Sequence, residues 1–135
     1  MYKHILIPIE LEHNRDAGAA IALAKKLLDE GGQITALHVI EAIPGYVVAN
    51  MPGDYLTTRR SEAMAALETE IAGASEIKAV VVVGHAGRTI QEFAQQHDSD
   101  CIVMASHQPG IQDYFIGSTA AWVVRHSKCS VHVIR

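Results

Sequence analysis

Five short apolar runs, each too brief for a helix and each but the last followed by a stretch with a helical period, constrain this chain more than any other feature. Residues 4–9 (His-Ile-Leu-Ile-Pro-Ile) read as a buried strand. From Asn14 or Asp16 the pattern changes: Ala17, Ala20, Ile21, Ala24, Leu27 and Leu28 recur at three and four, with Lys25, Lys26, Asp29 and Glu30 off that stripe. This predicts an amphipathic helix that Gly31 and Gly32 end. Residues 34–40 are a second strand, and His38 within it is expected to be a packed or hydrogen-bonded core residue. Residues 41–58 carry two Pro-Gly or Gly-Pro clusters plus Tyr46 and Tyr55 and show no period, which predicts a long connection and a candidate lid. Met64, Leu67, Ile71 and Ala74 form a second helical stripe. Residues 79–83, Ala followed by four Val, read as a third strand buried on both faces. Thr89 is placed to cap a helix bearing Ile90, Phe93, Ala94 and His97. Residues 101–105 form the fourth strand, Gly117, Ala120, Ala121 and Val124 line a fourth helix, and residues 130–134 close the chain as an alternating fifth strand. Strands and helices in alternation imply an α/β fold with a parallel sheet and right-handed crossovers, one domain over residues 1–135. The doubly wound orders 3-2-1-4-5 and 2-1-3-4-5 both suit five such units.

Composition narrows the function. Net charge is −4, and no basic face is apparent, which argues against a nucleic-acid partner. The longest apolar runs fall far short of the ~18–20 residues of a membrane span. The start of the chain carries no long apolar region or small-residue cleavage site, which reads as a cytoplasmic compartment. Cys101 and Cys129 are too few for a disulfide scaffold, and both sit in or beside β-branched runs as small hydrophobes would, a disulfide or redox pair being the alternative.

In an open α/β sheet, ligands bind outside the carboxyl ends of the strands, where the order reverses. For the order 3-2-1-4-5 that crevice lies between strands one and four. It brings Pro8, Ile9 and Glu10 opposite Met104, Ala105, Ser106, His107 and Gln108. Gly117, Ser118 and Thr119 open the fourth helix, where free N–H groups, two hydroxyls and the positive dipole end suit an anion. The alternative is that Ser118 or Thr119 caps its own helix. Glu10 is the carboxylate placed to accept hydrogen bonds from a ribose or to hold Mg²⁺. No G-x-G-x-x-G, Walker A or G-x-S-x-G sequence occurs, and the histidines show no zinc-protease or Cys-x-x-Cys spacing.

Pro8 before an acid at the end of strand one, the His38-Val39-Ile40 end of strand two, and the tail from Met104 to Arg135 together resemble the universal stress protein family. In that tail, Met-Ala-Ser-His-x-Pro-x-Ile-x-x-Tyr-x-x-Gly-Ser over 104–118 is most similar to the F-type branch. The resemblance covers the whole chain. It implies a sheet of order 3-2-1-4-5 and a homodimer through the last strand, Ser130–Ile134. It also implies adenine-nucleotide binding, with ATP or AMP as ligand, Mg²⁺ accompanying it, in a stress response. Carried over residue by residue, Glu10 matches the acid that contacts the nucleoside, and Val39 the valine that packs on adenine. Met104 ends strand four, Ser106 and His107 are the middle of the phosphate loop, and Gly117 and Ser118 are its final Gly-Ser. The glycine-rich branch reads Gly-x-x-Gly, nine residues, then Gly-Ser or Gly-Thr. Here Ala105 and Gln108 replace the two glycines, and eight residues separate Gln108 from Gly117. A side chain where a backbone must approach a phosphate, and Pro109 without an N–H, set this loop apart.

Two readings follow. One is a nucleotide-binding homodimer with a variant cradle; the other is a protein of the same fold that acts as an interaction module. Catalysis, at most slow ATP hydrolysis, finds no positioned lysine or arginine finger, and no catalytic residue is assigned.

Overall fold

A computed structural model describes residues 1–11, 17–72, 74–106 and 117–135. The elements follow in the order β1 (Tyr2–Pro8), α1 (Ala17–Leu27), β2 (Leu28–Glu41), α2 (Gly45–Val48), α3 (Tyr55–Glu70), β3 (Ile77–Gly84), α4 (Ala86–Gln96), β4 (Cys101–Ala105), α5 (Ser118–His126) and β5 (Ser130–Ile134). All five strands are parallel, in the order β3-β2-β1-β4-β5. Of the two orders the sequence allows, this is the one with its switch point between β1 and β4.

The period-2 alternation of the strands divides the core in two. Ile5, Ile7, Ile9, Ile34, Ala36, Cys101 and Val103 face α1 and the end of α3, where Ala20, Ala24 and Leu67 meet them. Leu6, Leu37, Ile102 and Met104 face α4 and α5, where Ile90, Ala94, Ala120 and Val123 meet them. The two faces separate the thiols: Cys101 belongs to the first cluster, and Cys129 packs on the second. No internal disulfide joins them, and both are free.

Several expectations need correction. β2 begins at Leu28, so Gly31 and Gly32 lie inside the strand assignment rather than after a helix. Tyr2 pairs with Leu28 and His4 with Gln33, so β2 spends five residues where β1 spends two. Gly31 absorbs the excursion at φ 80°, and a Cβ on Gly32 would lie 2.9 Å from the Lys3 carbonyl oxygen. The third strand is an edge strand, and Ala79 to Val83 are only partly buried rather than covered on both faces. The first turn of α3 and the short α2 occupy part of the segment expected to be irregular. Thr89 does not cap α4: His85 holds the N-cap position, and Thr89 packs its hydroxyl against Gly84. Along α5 the inward residues are Ala120 and Val123, whereas Val124 is exposed. The expected start of the first helix at Asn14 or Asp16 lies outside the described residues.

Candidate functional site at the carboxyl ends of β1 and β4

The sheet opens where the switch-point rule places a ligand. β1 pairs with β4 at Ile5–Cys101 and Leu6–Ile102. Beyond those pairs, β1 continues along β2 as far as Pro8–Leu37, and β4 continues along β5 as far as Ala105–Ile134. The two central strands therefore part, and the residues after them line a crevice.

One wall is set by a buried side chain. Ile9 donates its N–H to the Leu37 carbonyl at 2.9 Å, which extends β1 by one bond. The Ile9 carbonyl accepts from His38 Nδ1 at 2.8 Å, and His38 is only 9% exposed. Because a carbonyl can only accept, Nδ1 carries the proton in this bond. His38 thus clamps the turn that presents Glu10, whose residue is exposed. The core reading of His38 is right, and its bond to Ile9 gives it a second task that spacing alone did not reveal. Pro8 is partly buried at the strand end. Val39, next to His38, points to the opposite face, partly buried against the Leu6 cluster. It stands one strand away from the β1–β4 gap.

The other wall comes from β4. Met104 is buried, and Ala105 is partly buried. Among the described non-glycine residues only Asp98 has a positive φ, so Ala105 occupies ordinary backbone space. An alanine at this position therefore carries no strain, whatever a glycine does in related loops. Ser106 is 2% exposed, and its N–H donates to the Ile134 carbonyl at 2.9 Å. Its own carbonyl accepts the N–H of Gly117. Ser106 thereby ties the ends of β4 and β5 to the start of α5. His107 and Gln108 lie outside the described residues.

Gly117 is the N-cap of α5, with φ −59° and ψ 157°, and among the described residues no side chain caps the helix. Ser118 is exposed and Thr119 partly buried. Neither hydroxyl serves the helix end, contrary to the capping alternative. The Gly117 carbonyl receives Ala121 N–H at 2.9 Å, the first intrahelical bond. The N–H groups of Ser118, Thr119 and Ala120 thus form the turn that helix geometry leaves without intrahelical acceptors. Together with the dipole this end favours an anion. Arg125 and His126 stand in the last turn, where positive charge complements the other end of the dipole.

After β2, Tyr46 on α2 is 77% exposed, and its carbonyl accepts the Asn50 side-chain amide at 2.9 Å. Tyr55 opens α3 and is partly buried. Among the described residues no group of three or more His, Cys, Asp or Glu is arranged to hold a metal, and no helix is long and apolar enough to cross a membrane.

Comparison with known proteins agrees with this architecture. The sequence model of the universal stress protein family matches residues 1–135. Universal stress protein G of Salmonella typhimurium is 30% identical over the full length of both chains. A universal stress protein of Methanothermobacter thermautotrophicus is 26% identical, covering all of this chain and 97% of its own. Among solved structures, the hypothetical protein MJ0577 superposes with a TM-score of 0.75 at 26% identity, covering 99% of this chain and 96% of that one. Two more distant structures share the fold. A universal stress protein in complex with cAMP has a TM-score of 0.64 at 17% identity, over 99% of this chain and 97% of its own. One from Archaeoglobus fulgidus in complex with dAMP has a TM-score of 0.63 at 17% identity, over 99% and 98%. The chain belongs to the universal stress protein family.

Proposed function

We propose that this universal stress protein binds an adenine nucleotide, ATP or AMP, in the crevice between β1 and β4. The observation that carries the reading is the Ser106–Gly117 backbone bond, which folds a helix start that no described side chain caps back onto the end of β4. First-turn amides of Ser118 and Thr119 receive phosphate oxygens there. Glu10 accepts from ribose hydroxyls or holds Mg²⁺, and Val39 packs on the base beside Pro8 and Ile9. Met104 and Ala105 form the floor, and His107 and Gln108 complete the loop. The relatives solved with cAMP and dAMP support a nucleotide of this class. Ala105, unstrained in its place, removes one objection raised by the missing glycines.

The protein acts as a homodimer through β5, in the cytoplasm, in stress response or regulation. β5 is an edge strand whose alternating residues suit pairing with a second copy. Its net charge of −4 does not favour a nucleic-acid partner. The site holds and senses its ligand, with no chemistry assigned to it. The second reading, an interaction module without nucleotide, is favoured by Gln108 at the second glycine position.

Native mass spectrometry of protein purified without added ligand tests both. A dimer carrying one adenine nucleotide per chain, lost in Ser118→Asp, supports the first reading. A dimer that stays empty in millimolar ATP and Mg²⁺ supports the second.

A further inference from the structure

At the opposite end of the sheet, where the strands begin, a cavity of about 280 Å³ lies between the last turn of α4 and the turn entering β5. Gln91, Gln95, Asp98, Ser99, Lys128 and Cys129 line it. Two of these residues go against local physics. The chain leaves α4 in a Schellman turn, with Ser99 N–H on the Ala94 carbonyl at 2.8 Å and Asp98 N–H on the Gln95 carbonyl at 3.4 Å. That turn holds residue 98 at φ 55°, a position that favours glycine, yet an aspartate occupies it. The same placement sets a carboxylate at the negative end of the α4 dipole, where a cation would be favoured. Beside it, Ser99 is 9% exposed, and its hydroxyl has no hydrogen-bond partner among the described residues. Native proteins rarely leave such a group unpaired.

The third feature is a thiol. Cys129 is partly buried, and its Sγ lies 3.3 Å from the Ser127 hydroxyl, which also accepts the Cys129 N–H at 3.2 Å. The other cysteine is not a competitor: Cys101 is 1% exposed, and burial, then the nearby Cys129 and Asp100, push its thiol up to about 11. Lys128 adds positive charge to the wall beside Cys129.

We propose that this cavity is a thiol-modification site, in which Cys129 forms a mixed disulfide with a low-molecular-weight amino-acid disulfide. Asp98 takes the ammonium group of the adduct, Lys128 its carboxylate, and the Ser99 hydroxyl bonds to one of its oxygens. The Cys129 thiol gives its proton to solvent, and the thiolate attacks one sulfur of the disulfide. The new S–S bond forms as the old one breaks, and the departing thiolate takes up a proton. Cys129 is oxidised and the departing half is reduced, so no further oxidant enters. Excess free thiol reverses the step. The site lies at the other end of the strands from the crevice and stands apart from the nucleotide reading.

The test treats the full chain with glutathione disulfide and, in parallel, with bis(2-hydroxyethyl) disulfide, which lacks both charges. Intact mass and peptide mapping follow the adduct, and each rate is divided by the rate on the urea-unfolded chain. Expected is one glutathionyl group, on Cys129, with glutathione disulfide preferred about two- to five-fold, the size of an exposed charge pair. Lys128→Gln and Ser99→Ala remove that preference. Ser99→Ala deletes an unpaired hydroxyl, so its melting temperature holds or rises, which separates lost recognition from misfolding. The proposal is overturned if the folded chain takes no adduct or Cys101 reacts first. It is equally overturned if the preference equals that of the unfolded chain and ignores both substitutions.

Discussion

Replacing His38 tests the link between a buried side chain and the crevice it shapes. His38→Ala removes the Nδ1 donor that reaches the Ile9 carbonyl at 2.8 Å. A buried acceptor left unsatisfied costs about 1–3 kcal/mol. The deleted ring also leaves a void at a buried position, and buried large-to-small changes cost about 2–5 kcal/mol, the upper values where the site cannot collapse. At an edge already 9% open, about 3 kcal/mol in all is the expectation. With roughly 2.1 cal/mol/K of unfolding entropy per residue over 135 residues, that loss lowers Tm by about 10 °C. His38→Asn is the informative partner, because its side-chain amide stands near the Nδ1 position. It keeps the bond to Ile9, and about 1 kcal/mol, or roughly 4 °C, is lost. Urea titration followed by far-UV circular dichroism gives both numbers, and ATP titration of the same samples reads the crevice. His38→Ala weakens nucleotide binding, and His38→Asn restores most of it. If Asn proves as damaging as Ala, or if Ala costs less than about 0.5 kcal/mol, the clamp argument is refuted.

Four further outcomes follow from the geometry. In Gly87→Ala the new Cβ would stand 2.6–2.8 Å from the Trp122 side chain, so overpacking of about 1–3 kcal/mol outweighs the helix-propensity gain of roughly 1 kcal/mol; Trp122→Leu in the same chain recovers the urea midpoint. Burial pushes the Asp100 carboxyl up, but the Lys3 and His4 N–H groups at 2.9 and 3.0 Å together pull it below the ordinary 3.8. Its stabilisation is therefore present above 3.8 and lost as pH falls through the lower folded value, and Asp100→Asn flattens the acid limb of urea midpoint against pH. An aromatic disulfide reagent labels Cys129 in the folded protein and Cys101 only on unfolding, since Cys101 is buried with its thiol held near 11. Ser118→Asp adds charge at the start of α5, where the dipole tolerates it, so Tm is unchanged while ATP affinity falls at least about tenfold.

What was legible in the residues was whatever repeats along the chain. Runs of β-branched residues located all five strands, and the spacing of Ala20, Ile21 and Ala24 located α1 and its inward face. The reading failed where a tertiary neighbour decides. Four consecutive valines look buried on both faces, yet β3 is an edge strand, paired among the described residues with β2 alone. Gly31 and Gly32 look like a helix end, whereas the excursion they serve is set by the pairing of β2 with the start of β1. Of the site, the strand ends follow from the doubly wound pattern and the start of α5 from the Gly-Ser-Thr run, whereas the run alone left open whether its hydroxyls cap the helix. The His38–Ile9 bond joins residues 29 apart and leaves no local signature. The only hint was an imidazole in an otherwise apolar strand.

The two-pair seam between β1 and β4 also shapes how the chain reaches this state. Ile5 is made first and waits for Cys101, its partner across the seam, 96 residues later. At the ~5–20 residues per second of synthesis, the β4-side edge of the central strand stays open for about 5–20 s on the ribosome. During that time β1, β2 and β3 can already pair, so the nascent chain carries an apolar strand edge that is a template for other chains. The first strand to be made thus keeps one side uncovered until β4 is made, and the ribosome-bound chain is where this edge most needs protection.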